Sequence, residues 1–211
     1  MKTNQKIFFF VALLLIALTF VSCATRYDRT ESINFGYFKD TDTKSKNSVD
    51  GIALATMGIV ERNPNGGTFT YFSYKFPQYK KTDGIRVKYD TAGSHYSFKI
   101  LSGYVAKMKF ADESLHLNLG LGIDLSSSFS SYGSGSFYSF TTSESIGAGV
   151  IADVQYYFVD GFFLNASAVA TADFFSFYSH SSNYGSSSGS SSDIDLNLSG
   201  SIGLGIKFEG K

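Results

Sequence analysis

DIDLNLSGSIGLGIKF, residues 193–208, sets an apolar residue at every second position, with Gly200 as the one interruption. Ile194, Leu196, Leu198, Ile202, Leu204, Ile206 and Phe208 fall on one side of this row. Asp195, Asn197, Ser199, Ser201, Gly203, Gly205 and Lys207 fall on the other. A period of two belongs to a β-strand, whose successive side chains point to opposite faces of the sheet. A soluble sandwich strand alternates in the same way. This row, however, exceeds the roughly 5 to 6 residues of a globular strand and reaches the roughly 9 to 11 that cross a bilayer at a tilt.

The same alternation recurs along the chain. SLHLNLGLGIDLSS (114–127) sets Leu115, Leu117, Leu119, Leu121, Ile123 and Leu125 against His116, Asn118, Gly120, Gly122 and Asp124. SIGAGVIADVQYYF (145–158) opposes Ile146, Ala148, Val150, Ala152, Val154 and Tyr156 to Gly147, Gly149, Asp153 and Gln155. FFLNASAVATADFF (162–175) opposes Leu164, Ala166, Ala168, Ala170 and Ala172 to Asn165, Ser167, Thr171 and Asp173, and 95–110 repeats the pattern more loosely around Lys99, Gly103 and Lys107. Helical periodicity is absent past Thr25, and Gly, Ser, Phe and Tyr abound, which is an all-β composition.

The connections alternate as well. ADE (111–113) and VDG (159–161) are tight turns, whereas 127–143 and 178–192 read as long Ser, Gly and Tyr loops. Short turns on one edge and long loops on the other mark an outer-membrane barrel. Counting back by that rule gives a long loop at 79–94, a turn at RNPNGG (62–67), and strands at 67–78, 49–61 and 32–39, eight strands in all. Pro77 is expected to end or bulge its strand. Aromatic residues gather around the turn at 159–161 (Tyr156, Tyr157, Phe158, Phe162, Phe163) and at the far end of the next strand (Phe174, Phe175, Phe177, Tyr178), as girdles at two membrane surfaces do.

The beginning of the sequence sets the compartment. Lys2 and Lys6 flank the start of IFFFVALLLIALTFV, which is followed by SCAT, the order of an export signal. Cleavage after Ala24 assigns 1–24 to the signal and 25–211 to the barrel. It removes two of the 18 Lys and Arg and none of the 18 Asp and Glu, for a net charge of minus two. That near-balance points to neither nucleic acid nor an anionic lipid surface. Cys23, the only cysteine, excludes a disulfide framework and leaves two readings: part of a small-residue cleavage site, or the acylated first residue of a lipoprotein whose signal ends before it.

On these rows and turns the chain resembles the small eight-stranded bacterial outer-membrane β-barrels of the OmpA-transmembrane, OmpX and OmpW kind. The resemblance implies an all-β, antiparallel, up-and-down transmembrane barrel in the bacterial outer membrane. It implies a monomer surrounded by lipid and inserted by the barrel assembly machinery.

In such a barrel the Leu and Ile rows face lipid and the small polar rows face the interior. Lys99, Asp124, Asp173 and Asp195 are expected in an outer interior layer, and Lys107, His116, Asp153, Gln155 and Lys207 in an inner one. The glycine-rich middle either leaves a cavity or makes room for bulky residues of the first three strands, such as Met57, Phe69 and Tyr71. The three histidines and the abundant serines form no readable nucleophile and base pair, and no ligand spacing points to a metal or cofactor. The chain therefore reads as non-enzymatic, and two functions remain. One is surface recognition through loops whose Tyr132, Tyr138 and Tyr184 resemble aromatic contacts set among Ser and Gly, with a host or cell-surface ligand as partner. The other is OmpW-like uptake of a small, apolar solute through the interior. A lipid-anchored soluble barrel that binds a ligand is a third architecture compatible with Cys23.

Overall fold

The computed structural model describes residues 27–88, 93–134 and 136–210; the expected export signal and Cys23 lie outside them. Ten antiparallel strands are formed among these residues: β1 (Arg29–Asp42), β2 (Ser48–Asn63), β3 (Gly66–Thr82), β4 (Ile85–Lys88), β5 (Gly93–Phe110), β6 (Leu115–Ser134), β7 (Phe137–Val159), β8 (Phe162–Ser182), β9 (Gly185–Ser191) and β10 (Asp195–Phe208). Eight of them close a ring in the order β1-β2-β3-β5-β6-β7-β8-β10. The opening stretch supplies the closing strand, pairing Asp195–Phe208 with β1 on one side and Asp195–Ile206 with β8 on the other.

Tight connections share one end of the ring with the two ends of the described chain, which is the periplasmic end in this architecture. The β5–β6 turn places Ala111, Asp112 and Glu113 at φ 51, 55 and 68, and the β7–β8 turn places Gly161 at φ 78. At the opposite end, the segments expected as long loops are largely extended. β3 runs to Thr82 and folds back on β4, β6 and β7 stay paired out to Ser134 and Phe137, and β8 continues to Ser182 against β7 and β9. Serine-rich composition reads as loop, but the ladder bonds are made by backbone, and Phe129, interleaved among these serines, stacks on Phe98 with ring centroids 5.9 Å apart. Pro77 sits in a strand that continues through it, with a register shift opposite Asp50 and Gly51.

Outside the ring, Leu121, Ile123, Ile202 and Leu204 are 61–71% exposed, within an apolar belt to which seven of the eight ring strands contribute exposed large apolar side chains. A continuous apolar surface of this size is stable only against lipid, which sets aside the soluble-barrel architecture. Tyr157 and Phe163 leave the expected girdle. Each is adjacent to an outward residue, so each turns inward, where their rings lie 5.1 Å apart. Gly205 makes the room, since a Cβ there would strike the Phe163 ring.

The middle of the barrel is filled. Met57, Ile59, Phe69, Tyr71, Leu101, Val105, Ile151 and Val169, each at most 5% exposed, meet in one cluster inside the ring. The largest side chains come from β2 and β3, and the Phe69 ring occupies the space beside Gly120 of β6; Gly103, Gly122 and Gly149 are direct neighbours in one cross-strand row.

Leu198 and Ile202 face lipid near the middle of β10, so Leu198→Arg and Ile202→Arg should each lower folding free energy in lipid vesicles by about 2–4 kcal/mol. Ile206→Arg, beside the periplasmic turn, should lower it by about 0–1 kcal/mol. Refolding titrations in vesicles check this depth dependence; equal losses at the three positions would contradict the placement of the belt.

Candidate functional site

Above the apolar plug, toward the strand extensions, the interior is a connected network of charge. Lys99 is buried on β5, where it pairs with Asp124 of β6, donates to Thr171 Oγ1 at 2.5 Å and reaches Asp173 Oδ1 of β8 at 3.4 Å. Asp173 also accepts from Ser145 Oγ at 2.9 Å and from Asn197 Nδ2 at 3.1 Å. Asn197 in turn accepts from Lys75 Nζ at 3.3 Å, and Lys75 holds both oxygens of Asp40 at 2.7 and 2.8 Å while lying 5.0 Å over the Phe38 ring. Two cations and three carboxylates, contributed by five strands, thus cross the lumen as one chain of contacts. Buried charges are tolerated only when paired in this way.

This network is the floor of a polar vestibule of about 250 Å³, walled by Asp42, Asp195, Ser97, Ser128, Ser143 and Ser176 among others. Asp195 is directly opposite Asp42 on β1 and Asp173 on β8, so three carboxylates stand in one cross-strand row. Among the described residues, however, no group of three His, Cys, Asp or Glu side chains takes a metal-holding arrangement.

Below the plug lies a second polar layer. Lys107 pairs with Glu61, and Arg29 Nε with Glu31 Oε1 at 2.9 Å. Asp153, fully buried on β7, accepts from Asn118 Nδ2 at 3.1 Å, Asn165 Nδ2 at 3.0 Å and Ser167 Oγ at 2.8 Å. Tyr157 donates to Gln155 Oε1 at 3.0 Å and packs against the His116 ring. At the rim, Lys207 is partly exposed and reaches Asp28 at 3.4 Å, while the Gly210 backbone N–H donates to the same carboxylate. That backbone bond, aided by Lys207, holds the Asp28 carboxyl below the usual carboxylate range and ties the two ends of the described chain together.

The interior residues expected from sequence are thus distributed over two networks. Lys99, Asp124 and Asp173 come together; Asp195 stands above them, half-buried. Lys107, His116, Asp153 and Lys207 share the lower layer without forming one cluster. Sequence reasoning missed Lys75, Asp40, Glu61 and Glu31; Asn165 and Asn197 stood on the interior rows without being named as partners of the charges. The alternation that places Asn165 and Asn197 inside was legible; Lys75, Asp40, Glu61 and Glu31 lie on the first three strands, where the alternation is weak.

Of the loop tyrosines, Tyr132 and Tyr138 are carried by the paired ends of β6 and β7, and Tyr184 by the β8–β9 turn; they are 42%, 54% and 79% exposed. They stand on a wall, β6-β7-β8-β9, that rises beyond the ring and is flanked by the start of β5, where Gly93 pairs with Tyr132. In the same wall, His180 Nδ1 and Thr141 Oγ1 are hydrogen-bonded at 2.9 Å.

No protein-family model and no curated protein sequence matches the chain. Its fold is similar to that of several solved structures. Outer membrane protein OprG from Pseudomonas aeruginosa matches with a TM-score of 0.61 at 12% identity, over 87% of this chain and 97% of that one. Neisserial surface protein A matches at 0.56 and 15%, over 86% and 97%, and outer membrane protein AlkL at 0.53 and 13%, over 89% and 93%. At these identities the likeness is one of fold. Together with the apolar belt it makes the chain an eight-stranded antiparallel β-barrel of the small bacterial outer-membrane kind, set in the outer membrane with lipid around it.

Proposed function

We propose that this barrel is a non-enzymatic surface-recognition protein, a monomer inserted by the barrel assembly machinery, whose binding face is the β6-β7-β8-β9 wall. The observation that carries this reading is the closed middle of the barrel. Met57, Phe69, Tyr71, Leu101, Ile151 and Val169 fill the lumen between the two polar layers, so a solute following the barrel axis meets packed side chains. What the molecule offers outward is a paired sheet extension carrying Tyr132, Tyr138, Phe177, Tyr178 and Tyr184 among serines and glycines. Exposed tyrosines supply large contact area at low entropic cost, and the surrounding hydroxyls supply adaptable hydrogen bonds. A cell-surface ligand with both apolar and hydroxyl-rich parts suits that composition.

Liposome swelling distinguishes recognition from solute uptake. Vesicles carrying the refolded protein are expected to swell in small-solute media no faster than protein-free vesicles. In parallel, cells displaying the triple variant Tyr132→Ser, Tyr138→Ser, Tyr184→Ser are expected to lose attachment to host-cell surfaces while the barrel keeps its heat-modifiable gel migration. Swelling by the parent protein together with unchanged attachment by the variant would favour uptake through the interior.

A further inference from the structure

Lysine and arginine are distributed unevenly around the ring. Between Lys109 and Lys207 the sequence contains neither, so β6 to β9 present no Lys or Arg to the extracellular side. The extracellular ends of β1 to β4 are the reverse. Lys39 of β1 lies opposite Asp50 of β2, Asp50 opposite Tyr79 of β3, and Tyr79 opposite Lys88 of β4. Residues directly opposite one another share a face, and Lys81, two positions beyond Tyr79, together with its partner Arg86 joins the same face.

That face is the outward one. Tyr37, two residues before Lys39 and 50% exposed, belongs to the lipid-side row of Ile33 and Phe35 and donates its hydroxyl to Asp50. Arg86 bridges to the same carboxylate and stacks over the Tyr79 ring at 4.0 Å. Lys39, Lys81, Arg86 and Lys88 therefore share the outward face that carries Asp50, and all four are exposed. Toward the membrane the same face continues as Phe35, Leu54, Tyr74 and Phe76, with Tyr74 and Phe76 in edge-to-face contact. The cations thus begin about 7 Å beyond the aromatic girdle, one strand repeat of two residues, at the height where lipid headgroups lie.

We propose that this sector is a binding site for the phosphate groups of anionic lipid in the outer leaflet, lipid A in a bacterial outer membrane. A patch serving solubility alone would not be confined to three of the extracellular strand ends, nor turned toward the headgroup layer. Tyr79 and Asp50 hold the Arg86 guanidinium in place, and a guanidinium so fixed suits bidentate phosphate contact. Lys39, Lys81 and Lys88 add charge whose attraction is screened by salt. This assignment is independent of the recognition role of the β6-β7-β8-β9 wall, which lies in another sector of the ring.

The test is native mass spectrometry of the detergent-solubilised protein titrated with bisphosphorylated lipid A, and with the same lipid dephosphorylated. The parent is expected to bind the phosphorylated lipid at least tenfold more tightly. Removing one cation should weaken that binding about fivefold, so Lys39→Gln and Lys88→Gln are each measurable. The quadruple variant Lys39→Gln, Lys81→Gln, Arg86→Gln, Lys88→Gln should abolish the preference for phosphate. Lys109→Gln, the same charge change at the periplasmic end, should leave it unchanged. Heat-modifiable migration confirms that each variant is folded; should the quadruple variant not fold, the two single variants decide. Equal binding of the two lipids by the parent, unchanged binding by the single variants, or an equal loss with Lys109→Gln would overturn the assignment.

Discussion

Phe69→Ala is expected to lower the folding free energy of the barrel in lipid vesicles by about 3–5 kcal/mol, the range for removing a large aromatic ring from a packed interior. The ring is 2% exposed and sits in the apolar cluster with Met57, Tyr71 and Ile151. Its partner across the lumen is an absence of side chain: a Cβ built on Gly120 would come within 2.7 Å of Phe69 Cε1 and 2.7 Å of Ile151 Cγ2. The two positions are thus expected to couple. In the parent, Gly120→Ala should overpack the plug and lower stability by about 1–3 kcal/mol. With Phe69→Ala already in place, half of the obstruction is gone and the same methyl should be nearly neutral or recover part of the loss. A double-mutant cycle by urea titration in vesicles measures the difference. Strict additivity would mean that Phe69 does not occupy the space that Gly120 vacates, and the closed lumen on which the recognition reading rests would lose its main support.

This pairing of bulk with glycine also explains what the sequence made legible and what it did not. On β6, β7, β8 and β10 one face is Leu, Ile, Val and Ala and the other, apart from Ile151, Phe163 and Val169, is polar or glycine, so period two is visible and strand boundaries follow. On β2 and β3 both faces are apolar. Ile52, Leu54, Phe72, Tyr74 and Phe76 face lipid, while Met57, Ile59, Phe69 and Tyr71 fill the lumen. Alternation between two kinds of apolar residue carries no contrast, and these strands read weakly because they carry the plug. Lys75 and Glu61 share the same strands and were missed with them. The extensions were hidden for a different reason. Serine neither favours nor opposes a paired strand strongly, so 127–143 and 178–192 resemble loops until the backbone partners are known. The two polar layers follow from strand direction and side-chain alternation, but which cation meets which carboxylate depends on ring closure, and Lys75 with Asn197 is a contact across 122 residues of chain.

Lys99→Met should be about as damaging as loss of the plug aromatic, for an electrostatic reason. Lys99 is 3% exposed and stands between Asp124, fully buried, and Asp173, 8% exposed. Met keeps most of the side-chain volume, so the change isolates the charge. Removing one partner of a buried ion pair lowers stability by about 3–5 kcal/mol, because the remaining charge stays in a poorly polarisable interior without compensation. The two carboxylates will not suffer equally. Asp173 keeps hydrogen bonds from Ser145 and Asn197. Asp124 has Lys99 on Oδ2, and its buried Oδ1 accepts no hydrogen bond. The stranded charge in Lys99→Met is therefore that of Asp124, and Asp124→Asn in the same chain should restore at least half of the lost stability, whereas Asp173→Asn should restore less. Refolding free energies in zwitterionic vesicles, where surface charge contributes little, provide the measurement. If Lys99→Met folds as stably as the parent, Asp124 carries no charge in the native barrel, and the upper polar layer is a hydrogen-bonded network, not an ionic one.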